Sequence, residues 1–248
     1  MRIAGDWIAA PPTRAVTDAV AGGSDPVYFV GGCVRNAALG MKVGDIDLAT
    51  PVLPEEVMRR AEAAGLTAVP TGLEHGTVTV VADHRGYEVT TFRKDVETDG
   101  RRAVVAFSTE MRDDALRRDF TMNALYADRE GTLIDPLGCR FDLFARRVRF
   151  VGDPHERIVE DYLRILRFFR MVAWYADPQR GIDLESLSAC ASHADGLDKI
   201  ARERIGAELR KLLGASAPGP AVAAMASCGV LRAVLPGADP APLALLVS

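Results

Sequence analysis

Four short runs of residues in the first half of the chain have the hydrophobic pattern of β-strands. Residues 27–30 are apolar and end at two glycines, which is typical of a buried strand that leads into a tight turn. Residues 45–49 alternate between polar and apolar side chains, which predicts a second strand. Residues 77–81 and 87–92 alternate in the same way, and the glycine-containing segment between them predicts a hairpin.

Helical patterns surround these strands in the first part of the chain and replace them in the second part. The sequence therefore predicts a mixed α/β domain at residues 1–137 and an all-α domain at 138–248. The predicted helices are a lead-in helix within residues 1–25 and helices at 33–39, 54–64, 114–125 and 153–175, after which the chain is helical to its end.

Composition narrows the class of protein. With 248 residues, 48% of them hydrophobic and 26% charged, the chain is long enough for two globular domains, and it is not typical of disorder, collagen or a coiled coil. The longest uncharged segment, 212–231, contains five Gly or Pro residues, and residues 1–20 lack the apolar run of a signal peptide. We therefore predict a cytoplasmic protein that does not cross a membrane. Its four cysteines form no CxxC pair, which disfavours both a disulfide framework and a thiolate zinc site.

Arginine dominates the basic residues. The net charge is −4, yet 26 of the 30 basic residues are Arg, and residues 140–170 contain eight of them against five acids. Arginine makes planar, bidentate contacts to phosphates and base edges, which favours a nucleotide or nucleic-acid ligand. A GC-rich genome also raises the arginine content without any functional cause.

Two carboxylates two residues apart form the sharpest local feature. On a strand, Asp45 and Asp47 point to the same face and together offer oxygen ligands to a divalent cation. Such a pair by itself is more often a solvated turn or strand edge. The preceding strand, however, ends at Gly31 and Gly32, where a helix begins whose backbone N–H groups can bind phosphate. Glu88 on a hairpin strand is a candidate third carboxylate for in-line attack on a nucleoside triphosphate.

Several short motifs lie in a fixed order within Tyr28 to Leu213. They are FVGGCVRN at 29–36, GDIDLAT at 44–50, EVTTFR at 88–93, RRDFTMNA at 117–124, DPLG at 135–138, EDYLRILR at 160–167 and RERI at 202–205. In this order and at this spacing, they resemble the motifs of the class II tRNA nucleotidyltransferases, which are the CCA-adding enzymes and their bacterial poly(A) polymerase relatives.

The resemblance implies a fold, a reaction and a set of site residues. The fold would be an α/β head of the nucleotidyltransferase type, a small mixed sheet with flanking helices, followed by a helical neck. The tRNA 3′-hydroxyl would attack the α-phosphate of CTP or ATP, with Mg2+ held by Asp45 and Asp47 and with Glu88 as the third catalytic carboxylate. The nucleotide-binding residues implied are Gly31, Gly32, Arg35, Arg118, Asp119, Asn123, Arg157, Glu160, Asp161, Arg164 and Arg167.

The EDxxR segment could read a base edge. On one helix, Glu160, Asp161 and Arg164 would share one side, and the ordinary interpretation is a solvated i,i+4 ion pair. The resemblance implies instead that Asp161 and Arg164 select the incoming nucleotide, with Glu160 orienting the arginine. Cytosine and adenine both present an amino donor to a carboxylate, whereas uracil and guanine present an acceptor.

Two departures from the family pattern and one loop affect the prediction. Asn36 stands where the family usually has Asp, and the chain ends at Ser248, where relatives usually continue with domains that bind tRNA. We therefore expect a fragment that binds tRNA weakly. The loop 94–102 resembles a flexible segment that the switch from C to A addition requires, so it favours full CCA addition.

Other functions remain open from the sequence. They are a poly(A) polymerase, an enzyme that adds only CC or only A, and, from a different class, a non-catalytic nucleotide- or RNA-binding head. The histidines show no HExxH or His-Asp pattern, which disfavours an attached phosphohydrolase and predicts surface or capping roles; they are His75, His84, His155 and His193.

Overall fold

The computed structural model describes residues 1–96 and 104–241 of the chain. These residues divide into two compact units. The first consists of Met1–Arg118 and Met122–Arg140, and the second of Asp119–Thr121 together with the chain from Phe141 onward.

The first unit contains helices and strands in mixed order. In chain order they are α1 (Asp6–Ala9), α2 (Pro11–Ala21), β1 (Tyr28–Val30), α3 (Gly32–Ala38), β2 (Asp47–Thr50), α4 (Pro54–Ala63), β3 (Thr67–Gly72), a 3-10 turn (Leu73–His75), β4 (Thr77–Ala82), β5 (Arg85–Thr91), β6 (Arg93–Val96), β7 (Val104–Phe107), α5 (Met111–Leu116), β8 (Tyr126–Ala127) and β9 (Leu133–Ile134). A further 3-10 turn (Thr121–Asn123) begins in the second unit and ends in the first.

One mixed sheet of seven strands organises this unit, in the order β3-β4-β5-β2-β1-β8-β9. Strands β2 and β5 run parallel, and every other neighbouring pair in this sheet is antiparallel. Strands β6 and β7 form a separate antiparallel pair. Phe29, Leu48 and Val89 lie side by side on three neighbouring central strands and are all buried, so this face of the sheet lies in the core. The predicted α/β head is confirmed.

The β4–β5 hairpin closes with a tighter turn than the sequence predicts. Ala82 pairs with Arg85, so only Asp83 and His84 form the turn, with φ values of 49° and 58°. A two-residue turn with positive φ at both positions matches the right-handed twist of the strands it joins. The structure also adds strands that the hydrophobic pattern did not predict, including the largely exposed β3.

The second unit is helical. Its helices are α6 (Arg140–Phe144), which begins at the boundary, α7 (Pro154–Glu160), α8 (Leu163–Tyr175), α9 (Leu184–Ser192), α10 (Arg202–Leu213), α11 (Gly219–Ser227) and α12 (Val230–Val234), with a 3-10 segment at Ala194–Lys199. Helix α8 is its buried centre, where Phe168 and Phe169 are fully covered. The predicted all-α character of this part is confirmed.

The predicted helix at 114–125 is wrong. Helix α5 ends at Leu116, and the next residues hydrogen-bond to another segment instead of to their own helix. The Thr121 N–H donates to Arg149 at 2.9 Å, and the Val151 N–H donates to the Asp119 carbonyl at 3.1 Å. The Asp119 carboxylate accepts from the Phe120 N–H at 2.9 Å, which stabilises the non-helical backbone.

The predicted helix at 153–175 is interrupted. Helix α7 ends at Glu160 and α8 begins at Leu163, because Asp161 is extended, with φ −152° and ψ 104°. Its side chain accepts a hydrogen bond from the Leu163 N–H at 3.0 Å, as in an N-terminal cap. Glu160, Asp161 and Arg164 therefore do not share one side of a continuous helix.

Two smaller predictions also change. The lead-in helix is split into α1 and α2 at Ala10, directly before Pro11. The strand predicted at 45–49 begins only at Asp47, so Asp45 lies in the bend before it.

Membrane spans and disulfides can be addressed directly. No helix among the residues that the structure describes is long and apolar enough to cross a bilayer. All four cysteines are free; Cys33, Cys139 and Cys190 are buried, and Cys228 is partly exposed.

Candidate active site

Strand register places the acidic residues beside the glycine turn. Val30, the last residue of β1, pairs with Asp47, and Asp47 pairs in turn with Glu88 on β5. Gly31 follows Val30 directly. The glycine turn therefore begins beside Asp47 and Glu88, two of the three predicted carboxylates, which lie on the neighbouring strands β2 and β5. Asp47 is partly buried, while Asp45 and Glu88 are exposed.

The three carboxylates act on one another electrostatically. Burial and, after it, the negative charges of Glu88 and Asp45 raise the pKa of Asp47, while the positive charges of Arg118 and Arg35 oppose the shift, and the net result is a pKa of about 6. A carboxylate that is crowded by like charges gains most when a cation binds. This is the electrostatic condition that a divalent-metal site creates.

The acidic side chains suit a hard divalent cation, although they do not form a closed set of ligands by themselves. Among the described residues, no group of three or more His, Cys, Asp or Glu side chains is arranged to hold a metal ion. Carboxylate oxygens are the donors that Mg2+ prefers, and Mg2+ keeps several waters and takes further oxygens from substrate phosphates. The raised pKa of Asp47 fits such a partly open site.

The glycine turn between β1 and α3 lies beneath two guanidinium groups. Gly31 has φ 70° and ψ −122°, a conformation that favours glycine. A Cβ at Gly31 would lie 3.4 Å from an Arg118 guanidinium nitrogen, and one at Gly32 would lie 3.6 Å from an Arg35 guanidinium nitrogen. The turn thus combines the start of helix α3 with two positive charges, which is suited to binding phosphate oxygens.

Arg118 is held by a buried pair of side chains. Its guanidinium donates to the Asp114 carboxylate at 2.9 Å and to the Tyr126 hydroxyl at 3.2 Å, and that hydroxyl donates to Asp114 at 2.7 Å. Burial opposes its charged form, but the interactions with Tyr126 and Asp114 outweigh this and raise the pKa of Arg118. The arginine is therefore a fixed cation beside the turn.

Two amides orient Arg35. Asn36 Oδ1 accepts from the Arg35 guanidinium at 2.9 and 3.1 Å, and Asn123 Oδ1 accepts from it on the other side. The Asn36 amide also donates to the Lys42 carbonyl at 2.9 Å. Asn36, which departs from the family pattern, is not among the predicted site residues. Its position directly after Arg35 was the signal that could have assigned it this positioning role.

In the second unit, Glu160 joins two arginines. Its carboxylate lies 2.5 Å from a guanidinium nitrogen of Arg157 and 2.5 Å from one of Arg164. Arg164 also donates to the Arg157 carbonyl at 2.9 Å. The predicted pairing of Glu160 with Arg164 is present in spite of the helix break, and Glu160 fixes the direction of both guanidinium groups.

Asp161 has two kinds of partner. One carboxylate oxygen accepts from the Leu163 N–H at 3.0 Å, and the other accepts from the Arg204 guanidinium at 3.0 Å. A carboxylate offers about four lone-pair positions, so these two bonds leave it able to accept from a base. The RERI segment therefore contributes Arg204, a residue absent from the predicted site set.

Asp119 and Arg167 form one end of an ion network. The Asp119 carboxylate accepts from two Arg167 nitrogens, one of them at 2.8 Å. The third Arg167 nitrogen lies 3.9 Å from the buried Glu208, which pairs with Arg170 at 2.6 Å. The charge of Asp119, followed by that of Glu208, raises the pKa of Arg167 although burial opposes it.

The predicted site residues thus lie in two groups. The first unit brings together Asp45, Asp47, Glu88, Gly31, Gly32, Arg35, Arg118 and Asn123. The second unit brings together Arg157, Glu160 and Arg164, with Asp119 paired to Arg167. Most of the loop predicted at 94–102 lies outside the described residues.

Family comparisons agree with this geometry. The family described as "Poly A polymerase head domain" matches residues 27–149, and the one described as "Probable RNA and SrmB- binding site of polymerase A" matches residues 181–241. The seven-stranded mixed sheet with its flanking helices is that of a nucleotidyltransferase-type head. The chain belongs to the family of the tRNA nucleotidyltransferases and poly(A) polymerases.

Individual relatives point to the same family. The chain is 41% identical over 201 residues to the mitochondrial CCA tRNA nucleotidyltransferase 1 of Mus musculus. This alignment covers 81% of the chain and 46% of the relative. It is 41% identical over 214 residues to the CCA-adding enzyme of Geobacillus stearothermophilus. That alignment covers 85% of the chain and 50% of the relative. The chain thus spans about half the length of these curated relatives.

A solved structure shows the same fold. The crystal structure of the Bacillus stearothermophilus CCA-adding enzyme in complex with CTP superposes with a TM-score of 0.82 at 34% identity. The match covers 96% of this chain and 58% of that one.

Proposed function

We propose that this chain acts as a template-independent RNA nucleotidyltransferase that adds CMP and AMP, from CTP and ATP, to the 3′ end of tRNA. The 3′-hydroxyl oxygen forms a bond to the α-phosphorus, the bond to the bridging oxygen breaks, and pyrophosphate leaves. The observation that supports this best is that Val30 pairs with Asp47 and Asp47 pairs with Glu88, which places the glycine turn after Val30 beside two carboxylates.

Three carboxylates would supply the metal ligands. Asp45 and Asp47 would hold Mg2+, with Glu88 as the third carboxylate, and the bound ions would supply charge neutralisation for attack and departure. The raised pKa of Asp47 supports this assignment, since its carboxylate already lies in a field of like charges. The two-metal arrangement is part of the proposal.

The glycine turn would bind the triphosphate. Gly31 and Gly32 allow a close approach to the backbone at the start of α3, while Arg118 and Arg35 supply positive charge on either side. Asn123 and Asn36 hold Arg35 in that position. Most of the catalytic effect would come from positioning and charge neutralisation.

The second unit would select the base. The Asp161 carboxylate accepts from the amino group of cytosine or adenine, and the Arg164 guanidinium donates to ring nitrogen or oxygen atoms. Glu160 orients Arg164, as their contact at 2.5 Å supports. Arg157 shares that carboxylate, and the Asp119–Arg167 pair stabilises the helix that carries Arg164.

Product length tests the proposal. The chain is incubated with Mg2+ and with tRNAs that lack CCA, CA or A, in the presence of CTP, ATP or both. We expect C to be added to the first two substrates and A to the third, with growth stopping after CCA. Failure to release pyrophosphate from any of them would contradict the proposal and favour a non-catalytic nucleotide- or RNA-binding head.

The same experiment separates the related reactions. Unlimited A addition would indicate the poly(A) polymerase that the matched family's description favours. Products that end after CC, or that grow only from tRNA lacking A, would indicate a CC-only or an A-only enzyme.

The domain division and compartment complete the proposal. We infer a catalytic head at 1–137 and a nucleotide-selecting neck with the start of a body region at 138–248. We infer a cytoplasmic location, with bacterial CCA-adding enzymes among the relatives in its favour and mitochondrial ones among them as the alternative.

A further inference from the structure

Two histidines far apart in sequence meet on the surface of the second unit. His155 Nδ1 lies 3.1 Å from His193 Nε2, and their ring planes are inclined by 71°. His155 lies in the first turn of α7, and His193 is the residue that ends α9. Neither takes part in the reaction proposed above, and the sequence predicted only surface or capping roles for them.

The nitrogen separation is that of two ligands on one metal ion. Zinc–imidazole bonds are about 2.0–2.1 Å long, which puts two nitrogens about 2.9 Å apart at a right angle and about 3.4 Å apart at a tetrahedral angle. The observed 3.1 Å lies between these values. Small rotations of the rings would direct both lone pairs at a shared ion.

We infer that His155 and His193 form a chelating site for a late first-row divalent ion of the class of Ni2+, Cu2+ or Zn2+. Imidazole nitrogen suits these ions, whereas Mg2+ prefers oxygen. In the hydrogen-bonded state one of the two facing nitrogens carries a proton. On chelation that proton moves to the other nitrogen of the same ring, so neutral imidazoles bind the ion without net proton release.

Solvent completes the coordination. Among the described residues no third His, Cys, Asp or Glu joins this pair in a metal-binding group. The site is therefore open and exchangeable, unlike a closed structural zinc site with four protein ligands.

The ion would connect two segments that are distant in sequence. Residues 155 and 193 are 38 positions apart, so the ion would bind only where folding has brought them together. Tyr162 is the residue directly after Asp161. Its ring centre lies 6.4 Å from that of His193, and the ring packs against Gly196. Metal binding would therefore restrain the end of α9 against the turn that precedes α8.

Calorimetric titration of the whole chain with Ni2+ or Zn2+, in excess Mg2+, tests the inference. Excess Mg2+ occupies the carboxylate site and leaves the imidazole pair to the added ion. We expect saturation at one equivalent, and a rise in Tm of about 5 °C in the same buffer. His155→Gln and His193→Gln should each weaken binding at least tenfold, while His75→Gln, at an exposed histidine of the first unit, should leave it unchanged.

The outcomes separate this inference from the proposed function. Asp45→Ala should keep Ni2+ binding, and His155→Gln should keep Mg2+-dependent nucleotide addition. No saturable binding to the wild-type chain would overturn the inference, as would an unchanged affinity in both histidine variants. Folding of the variants is checked by circular dichroism, and binding that survives in a folded His155→Gln, His193→Gln double variant would also overturn it.

Discussion

At the scale of single residues, the candidate active site depends on how charges are placed around Asp47. Glu88 and Asp45 disfavour its ionised form, and Arg118 and Arg35 favour it. Alternation along a strand predicted that Asp45 and Asp47 would share a face, but Asp45 lies in the bend before β2, so strand alternation does not determine its direction. Strand alternation does not reveal the role of Asn36, which lies next to Arg35 on helix α3 and whose amide also donates to the Lys42 carbonyl beyond that helix.

Asp45 provides the most direct test of the metal assignment. Asp45→Ala should lower the rate of nucleotide incorporation more than about 100-fold, because one metal ligand is lost. The fold should remain intact, since Asp45 is exposed. Incorporation is measured with labelled CTP. The matched control is Asp83→Asn in the β4–β5 turn, where Asn tolerates the positive φ; a similar loss in both variants would contradict the assignment.

The titration of Asp47 should be visible in stability. Its pKa rises from 3.8 to about 6 in the folded chain, so the folded state binds this proton more tightly than the unfolded state does. Its contribution is therefore favourable below about pH 4 and is lost as the pH rises toward 6. We expect the Tm of the metal-free wild type to fall relative to that of Asp47→Asn across this window. Parallel curves for the two proteins would contradict the shift.

At the scale of elements, the break between α7 and α8 gives Asp161 and Arg164 their positions. Arg164→Ala should lower the preference for CTP over UTP and GTP by roughly 10- to 100-fold, which corresponds to about 1–3 kcal/mol for one base contact. Glu160→Gln should have a smaller effect in the same direction, because Arg164 loses its charged partner. Glu156→Gln, an exposed position on α7, is the control.

Single-nucleotide incorporation rates measure that preference. A folded Arg164→Ala variant that keeps the wild-type preference for CTP would refute the selecting role. A matching loss in Glu156→Gln would show that any disturbance of α7 has the same effect.

The packing of Tyr162, between α7 and α8, against Gly196 predicts an effect on stability. A Cβ at Gly196 would lie 2.0 Å from the Tyr162 ring, so Gly196→Ala should destabilise the folded chain by about 1–3 kcal/mol as the ring is displaced. Gly219→Ala, at the first residue of α11, meets no atom within 4 Å and should change stability by less than about 0.5 kcal/mol or increase it. Urea unfolding distinguishes the two, and equal midpoints would contradict the close packing.

The hydrophobic pattern of the sequence did not predict where two of the helices end. The sequence from 114 to 125 has a helical pattern, yet the Thr121 N–H donates to the Arg149 carbonyl and the Asp119 carbonyl accepts from the Val151 N–H. Asp119 and Asp161 each offer a side-chain acceptor that competes with a continuous helix. Such competition depends on what lies nearby in space, so a local pattern does not reveal it.

At the scale of the whole molecule, the balance of charge and length bears on RNA binding. The chain carries a net charge of −4 and covers half of the Geobacillus stearothermophilus relative. Fewer phosphate contacts mean lower affinity and a weaker dependence on salt. Because the proposed tRNA contacts would be made to phosphates, we expect the affinity of this chain for tRNA to fall at least about tenfold when the salt concentration rises from about 50 to about 200 mM, as measured by filter binding. Equal affinity at the two salt concentrations would contradict this expectation.

The sequence by itself determined the fold class, the order of the motifs and the identity of the acidic residues. These depend on local periodicity and on residue chemistry at fixed spacing, both of which are visible along one chain. Only the tertiary structure decided that Asp47 pairs with Val30 and Glu88, that two amides hold Arg35, and that Asp161 ends a helix. It also brought His155 to His193, because strand register and long-range hydrogen bonds join residues whose separation in sequence carries no local signal.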